Sequence, residues 1–160
     1  MRRGFLLFTF AASALLFPAM AQAANCTVSA TGISFGTYIP STPGPTDNTG
    51  SVTVTCSAVF QVVNYTIALN AGVNSSGSFG NRRMGSGGSF LSYQIYTSAA
   101  RSTVWGDGTG GTATVSDSYG CFFCVNQSRS YVDYGRLPGL QWSAAPGFHT
   151  DTITATVTFN

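Results

Sequence analysis

Four cysteines and a single histidine are the side chains of this 160-residue sequence best suited to redox or metal chemistry. Cys121 and Cys124 form a C-x-x-C motif, which occurs in thiol redox sites and in zinc sites. A thioredoxin-like site needs a β-α-β context, and no segment with helical periodicity flanks the motif. A structural zinc site needs four ligands, and His149 supplies at most a third if Cys26 pairs with Cys56. We therefore expect a small structural disulfide at 121–124, with metal binding and redox chemistry as the alternatives.

His149 and Asp151 are the other candidates for catalysis. They lie just before the last predicted strand, two residues apart, so strand alternation places them on the same face. The pattern puts no nucleophile beside them. The loop at 105–109 is too poor in acidic residues for a calcium site, and the sequence contains no glutamate. We therefore predict that the protein is not an enzyme and uses no cofactor or metal.

The first 23 residues have the pattern of a secretory signal peptide. Arg2 and Arg3 precede an apolar stretch at 5–17, and Ala-Gln-Ala at 21–23 offers a cleavage site. A membrane anchor is the alternative, but the stretch is shorter than the roughly 20 residues that span a bilayer. Cleavage after Ala23 would leave a domain at 24–160 with five arginines and five aspartates. Such a neutral domain has no basic face, and we expect no nucleic-acid partner.

Export also favours disulfides, because exported chains meet an oxidising compartment. Four cysteines allow three pairings. Proximity in sequence favours Cys26 with Cys56 and Cys121 with Cys124.

Composition limits the fold class further. Charged residues make up 8% of the sequence, against roughly 25% in an ordinary soluble domain. A helix bundle needs Glu, Lys, Ala and Leu in quantity, and a disordered chain would be richer in charge and poorer in aromatic residues. A β-rich domain with a surface of Thr, Ser and Gly remains.

Apolar and polar residues alternate with period two in four segments, at 51–56, 63–70, 91–96 and 152–159. Each predicts a strand with one buried face. Shorter strands are expected at 26–30, 34–38, 112–116 and 131–136, with Gly- and Pro-rich turns between them. Many short antiparallel strands indicate a sandwich or barrel. In the last segment, Ile153, Ala155, Val157 and Phe159 alternate with threonines, and its outer edge would be a template for strand addition.

The ordered stretches resemble the spore coat protein U domain family, which includes the subunits of archaic (Csu-type) chaperone–usher pili. The stretches that carry the resemblance are 26–29, 33–38, 50–57, 65–69, 91–97, 104–109, 134–138 and 147–159. The resemblance implies an all-β, incomplete immunoglobulin-like sandwich that lacks its final strand. A periplasmic chaperone would lend a strand to this groove, an outer-membrane usher would export the subunit, and another pilin subunit's N-terminal segment would then replace the chaperone strand. The strand-acceptor groove would be carried by Ile153, Ala155, Val157 and Phe159.

Two features depart from that family. Polymerising pilins of this kind carry a donor segment of ten or more residues before the first cysteine, whereas cleavage after Ala23 leaves only Ala24 and Asn25 before Cys26. Such a subunit would accept a strand without donating one. We therefore expect it at a filament end, as a tip or terminating subunit.

The second departure is the aromatic segment at 119–125, where relatives would be expected to have a polar loop. Phe122 and Phe123 lie between two cysteines, with Tyr119 just before them. Either both rings fill the core, or a disulfide-pinned turn presents them as a hydrophobic finger. Tip adhesins of archaic pili use hydrophobic loops to grip abiotic or host surfaces, so the second arrangement predicts an adhesive loop in attachment and biofilm formation.

Two other classes of function stay open. A self-contained secreted adhesive or lectin-like module would have a complete sandwich and need no strand from another chain. A self-assembling coat protein would form layers without an usher. The leading hypothesis is an exported pilus subunit at the cell surface.

Overall fold

The computed structural model describes residues 24–160, so the predicted signal peptide at 1–23 lies outside the described residues. The described chain contains seven strands and a single turn of 3₁₀ helix at Phe79–Asn81. The strands are β1 (Asn25–Thr31), β2 (Thr46–Leu69), β3 (Arg83–Ser86), β4 (Ser89–Ser92), β5 (Gln94–Tyr96), β6 (Val115–Leu137) and β7 (Ala155–Phe159). Over residues 24–160, no helix has the length and apolar character needed to cross a membrane.

The main sheet is built on the two longest strands, β2 and β6, which pair antiparallel along almost their whole length. The sheet order is β1-β2-β6-β5, and β7 also pairs with β2. β1 lies against the first half of β2, from Asn25 opposite Ser57 to Thr31 opposite Ser51. β7 lies against its last residues, from Leu69 to Tyr65. Since β6 occupies the other edge of β2, β1 and β7 share one edge end to end.

A second, two-stranded sheet is formed by β3 and β4. Met84 and Leu91 face each other across this hairpin, and both are buried with the core residues of β2. Tyr93 and Ile95 extend the same core towards β6. The prediction of an all-β, sandwich-like fold is confirmed, and neither sheet closes on itself.

The buried residues of β2 are even-numbered in the first half of the strand and odd-numbered in the second half. Val52, Val54 and Cys56 are buried in the first half, whereas odd-numbered residues from Val63 to Leu69 are buried in the second half. The β2–β6 register shifts between Cys56 and Ala58. Asn126 lies within this shift on β6 and Phe60 lies just after it on β2; their φ values of 52° and 51° are in the left-handed region. A bulge of this kind moves the side chains that follow it to the opposite face.

Several predicted segments differ from the structure: the strands expected at 51–56 and 63–70 are joined in β2, and the strand expected at 91–96 is divided between β4 and β5. Residues 121–124 do not separate two strands, because they lie inside β6, which joins the strands predicted at 112–116 and 131–136. The expected local bend is present within that strand, since the Cα atoms of Cys121 and Cys124 are only 5.6 Å apart. The strand predicted at 34–38 is absent, and Tyr38 makes only an isolated bridge to Gly147. The segment before Tyr38 instead packs its apolar side chains on β6, where Ile33 and Phe35 occupy the space that a Cβ at Gly135 would need. The last strand is β7, three residues shorter than predicted.

Both expected disulfides are confirmed. Cys26 and Cys56 are direct register partners on β1 and β2, so their bond ties the edge strand to the centre of the sheet. Cys121 and Cys124 are joined within β6. In the chain-entropy view, the larger loop stabilises the fold by about 3.7 kcal/mol and the smaller by about 1.9 kcal/mol. The first bond therefore holds β1 in place, and the second fixes the local shape of β6.

Candidate functional site

An open groove of about 520 Å³ lies beside the shared edge of β2. Its walls include Ala30 near the end of β1, Val52 and Leu69 on β2, Ala155 at the start of β7, and Ile153 two residues before it. The segment at 32–36 and residues of the β3–β4 hairpin close its other side. These walls are mostly apolar, so the groove is suited to apolar side chains from a partner.

The two strands that border the groove are incompletely covered. Among residues 24–160, β1 and β7 pair only with β2, so each has an outer edge with unpaired backbone groups. Val28 on β1 lies directly opposite Val54, and registered partners share a face. Val28 is 45% exposed, whereas Val54 is 1% exposed. The core-facing side chains are thus covered on β2 and partly exposed on the neighbouring edge strand, β1.

The predicted groove residues all lie on one face of the last segment, but only part of the set lines the cavity. Ile153, Ala155 and Val157 are half-buried against the core, and the alternating threonines are exposed. Ile153 and Ala155 line the cavity. Val157 and Phe159 lie farther along β7, opposite Ile67 and Tyr65. Phe159 remains 46% exposed although it packs against the Tyr65 ring.

Sequence reasoning missed the β1 wall of the groove and its one carboxylate on β6. The β1 wall could have been inferred from the sequence at 26–30, since Cys26, Val28 and Ala30 alternate with polar residues. The signal for the carboxylate was an aspartate, Asp133, at an inward position between Tyr131 and Gly135.

Asp133 is 8% exposed and lines the groove from β6. Its oxygen Oδ1 has no hydrogen-bond partner in the described chain. Burial raises the pKa of the Asp133 carboxyl, and the backbone amides of Asp133 and Gly50 only partly oppose this rise. Gly50 is its register partner on β2. A Cβ there would lie 2.7 Å from Oδ1 and collide with the Thr31 carbonyl, so glycine makes room for the carboxylate.

The opposite wall holds a polar network around Asp151. Its carboxylate accepts hydrogen bonds from the Tyr93 hydroxyl at 2.7 Å and from the Asn74 amide at 3.1 Å. Burial, followed by the hydrogen bond to Asp151, raises the pKa of Tyr93. Arg82 is buried nearby and donates to Gln94 and to the Asn70 carbonyl. This network fixes the loops that carry the groove wall.

The residues considered for catalysis do not form a triad. His149 Nε2 lies 3.3 Å from Ser89 Oγ, and His149 Nδ1 has no partner in the described residues. Residues 32–36 have the sequence G-x-S-x-G, which marks a nucleophile only at a strand-to-helix turn, and the segment around Ser34 is irregular. Within 24–160, no group of three potential ligands is placed to hold a metal ion. Among the described residues, the groove thus contains neither a catalytic triad nor a cluster of metal ligands.

An aromatic patch, defined here as Phe60, Phe122 and Phe123, is the second exposed feature. The three side chains are 66%, 72% and 68% exposed. Phe60 packs edge-on against both other rings, with centroids 4.3 and 5.6 Å apart. The arrangement in which the rings of residues 122 and 123 fill the core is thus wrong for this chain, because the bulge turns them outward. Phe60 was missed, since only the fold brings it beside them.

Tyr119 lies outside the aromatic patch. Alternation along β6 places it on the inner side, where its ring is half-buried against Tyr65. The Arg129 guanidinium lies 4.5 Å from its ring centroid. Tyr119 therefore supports the sheet beneath the patch.

Comparison with known protein families gives a match over most of the chain. The family model of the Spore Coat Protein U domain matches residues 8–156, which is nearly the whole chain. No curated protein matches the chain significantly.

The raised pKa of Asp133 leads to a pH-dependent prediction. A carboxyl whose pKa is higher in the folded state destabilises the fold when ionised, and this cost disappears as the pH falls through that pKa. We expect Asp133→Asn to raise the free energy of unfolding of the isolated chain at pH 8, by about 1–3 kcal/mol. The gain should shrink at pH 4. Urea unfolding at both pH values measures it.

The matched control is Asp107→Asn. Asp107 lies in an exposed turn, and hydrogen bonds from Thr109 lower its pKa, so its replacement should not stabilise the chain at either pH. A stability gain for Asp133→Asn that is the same at pH 4 and pH 8 would show that its ionisation is not the cause.

Proposed function

This chain belongs to the Spore Coat Protein U domain family, and on that premise we propose that it is an exported structural subunit completed by a strand from another chain. The observation that carries the proposal is the uncovered groove beside β1 and β7. Its family is associated with chaperone–usher pilus subunits and with exported coats. Open sheets, two free strand edges and an apolar groove are the features that strand complementation uses.

The energetics of this proposal rest on apolar burial. Four or five alternate side chains of an incoming strand, at roughly 1.5–3 kcal/mol each, give on the order of 10 kcal/mol. Ordering the strand offsets part of this gain. Backbone hydrogen bonds to the free edge of β1 or β7 would set the register, while burial in the groove would drive assembly.

The partners follow from the same proposal. A periplasmic chaperone supplies the first strand, an outer-membrane usher exports the complex, and a neighbouring subunit supplies the final strand. In the described residues β1 begins at Asn25, directly after Ala24. If the signal peptide is cleaved after Ala23, no free segment precedes β1 to act as a donor, which supports a position at a filament end.

For a subunit at a filament end, the aromatic patch is the proposed adhesive surface. Phe122 and Phe123 are held by the β2–β6 ladder and the disulfide between their neighbours. Rings that are already ordered lose little conformational entropy when they bind. The partner chemistry is an apolar surface, abiotic or on a host.

Strand complementation is tested by two valine substitutions at positions of nearly equal exposure. Val28 shares its face of β1 with Ala30, which lines the groove, and is 45% exposed. Val132, on β6, is 42% exposed and lies next in sequence to the inward Asp133. We expect Val28→Asp to abolish co-purification with a co-expressed archaic-type pilus chaperone, because a strand inserted there would bury the new charge. Val132→Asp should leave co-purification intact.

Periplasmic yield and size-exclusion chromatography measure this outcome. A wild-type chain that accumulates as a stable monomer without any chaperone would contradict the proposal and favour a self-contained module. Regular layers formed by the purified chain alone would favour a coat protein.

The adhesive surface is tested by the double variant Phe122→Ser/Phe123→Ser. Losing two exposed rings should reduce binding to a methyl-terminated surface by roughly tenfold or more, because each ring buries apolar area on contact. A quartz-crystal microbalance measures the adsorbed mass. Trp142→Ser is the control, since Trp142 is 68% exposed outside the patch. Equal losses for both variants would show that general exposure, and not the patch, determines adhesion.

A further inference from the structure

The groove contains one buried charge that the apolar character of the site does not explain. Tyr131, Asp133 and Gly135 alternate along the inner face of β6, and Asp133 takes the position where an apolar side chain is expected. The carboxylate lines the cavity together with Ala30 and Val52. It is 8% exposed, and its Oδ1 atom has no partner within residues 24–160.

No arginine within residues 24–160 forms an ion pair with this carboxylate. The five arginines of residues 24–160 contact other groups: Arg101 and Arg136 contact Asp47, Arg129 contacts Asp117, Arg82 contacts Gln94 and Asn70, and Arg83 contacts Asn74. A buried carboxylate that lacks both a counter-charge and a full set of donors destabilises the fold. Insertion of an apolar strand would exclude the remaining water and increase that cost.

The fold nevertheless leaves space for the carboxylate at this position. Gly50 lies opposite Asp133 in the ladder, where strands prefer larger residues. A Cβ at this position would displace the carboxylate and the Thr31 carbonyl at the end of β1. The missing side chain therefore keeps the Asp133 carboxylate in the groove, close to the edge where a new strand would enter.

We propose that Asp133 is a specificity-determining residue, which makes the groove select an otherwise apolar strand carrying one cationic side chain opposite this carboxylate. The inference rests on the proposed strand complementation and adds the chemistry of the partner strand. An ammonium or guanidinium group would supply both the missing counter-charge and the missing donor for Oδ1. Charge-assisted hydrogen bonds of this kind are the strong ones in an enclosed site.

A peptide scan tests the selection. The probes are ten-residue peptides with valine at the inward alternate positions and threonine between them, in which each valine in turn is replaced by lysine or by norleucine. Norleucine keeps the apolar stem of lysine and lacks the ammonium. Fluorescence polarisation with the full chain at pH 7.5 gives the dissociation constant of each pair.

We expect the lysine peptide to bind about tenfold or more tightly than the norleucine peptide at one position only. That preference should be lost in Asp133→Val and reduced in the isosteric variant Asp133→Asn, which keeps the scan informative if the valine variant fails to fold. Equal affinity of the norleucine and lysine peptides at every position would overturn the inference. A lysine preference that survives in both variants would also overturn it. Failure of every peptide, the all-valine one included, would instead contradict strand complementation itself.

Discussion

The antiparallel ladder between β2 and β6 is the interaction on which the other features of the molecule depend. It occupies one edge of β2 along nearly its whole length and leaves the other edge to two short strands, β1 and β7. Because neither strand has a further neighbour in the described chain, the core is sealed at Val54 and open at Val28. The groove is thus a consequence of strand order. The bulge around Phe60 and Asn126 belongs to the same ladder. It lets the ladder bury opposite faces in its two halves, and it turns the aromatic patch outward.

The low charge of the sequence is consistent with this architecture. Threonine, serine and asparagine cover the wet faces of the strands, and without lysine or glutamate the free edges have few residues that oppose pairing with another strand. Five of the ten charged side chains at 24–160 form ion pairs, among them Arg136 and Arg101 with Asp47. Asp133 lies in the groove with neither a counter-charge nor a hydrogen-bond partner for its Oδ1 atom within residues 24–160. A self-sufficient domain would gain stability from an apolar residue at this position, whereas a domain completed by a second chain can use the carboxylate to choose its partner.

Much of the architecture was predictable from local pattern. The alternation that ends at Phe159 predicted the last strand, and cysteine spacing predicted both disulfides. The ordered stretches also pointed to the correct family. What escaped prediction depends on contacts distant in sequence. The segment 121–124 was expected to form a turn between strands because its disulfide closes a short loop, yet pairing with β2 keeps it within one long strand that bends at the disulfide. Phe60 joins Phe122 only through that pairing. Likewise, the uncovered state of Val28 follows from the absence of a neighbouring strand, which alternation within β1 does not reveal.

Hydrogen–deuterium exchange of the chain, alone and with a complementing apolar strand, tests strand complementation most directly. Edge amides that face away from β2 have no partner in the isolated chain, so they should exchange rapidly. The account predicts that strand binding slows exchange along β1 or β7 beside the groove, while the already protected centre of the β2–β6 ladder changes little. Protection of both outer edges in the isolated chain, or protection on binding that avoids both strands, would contradict the account.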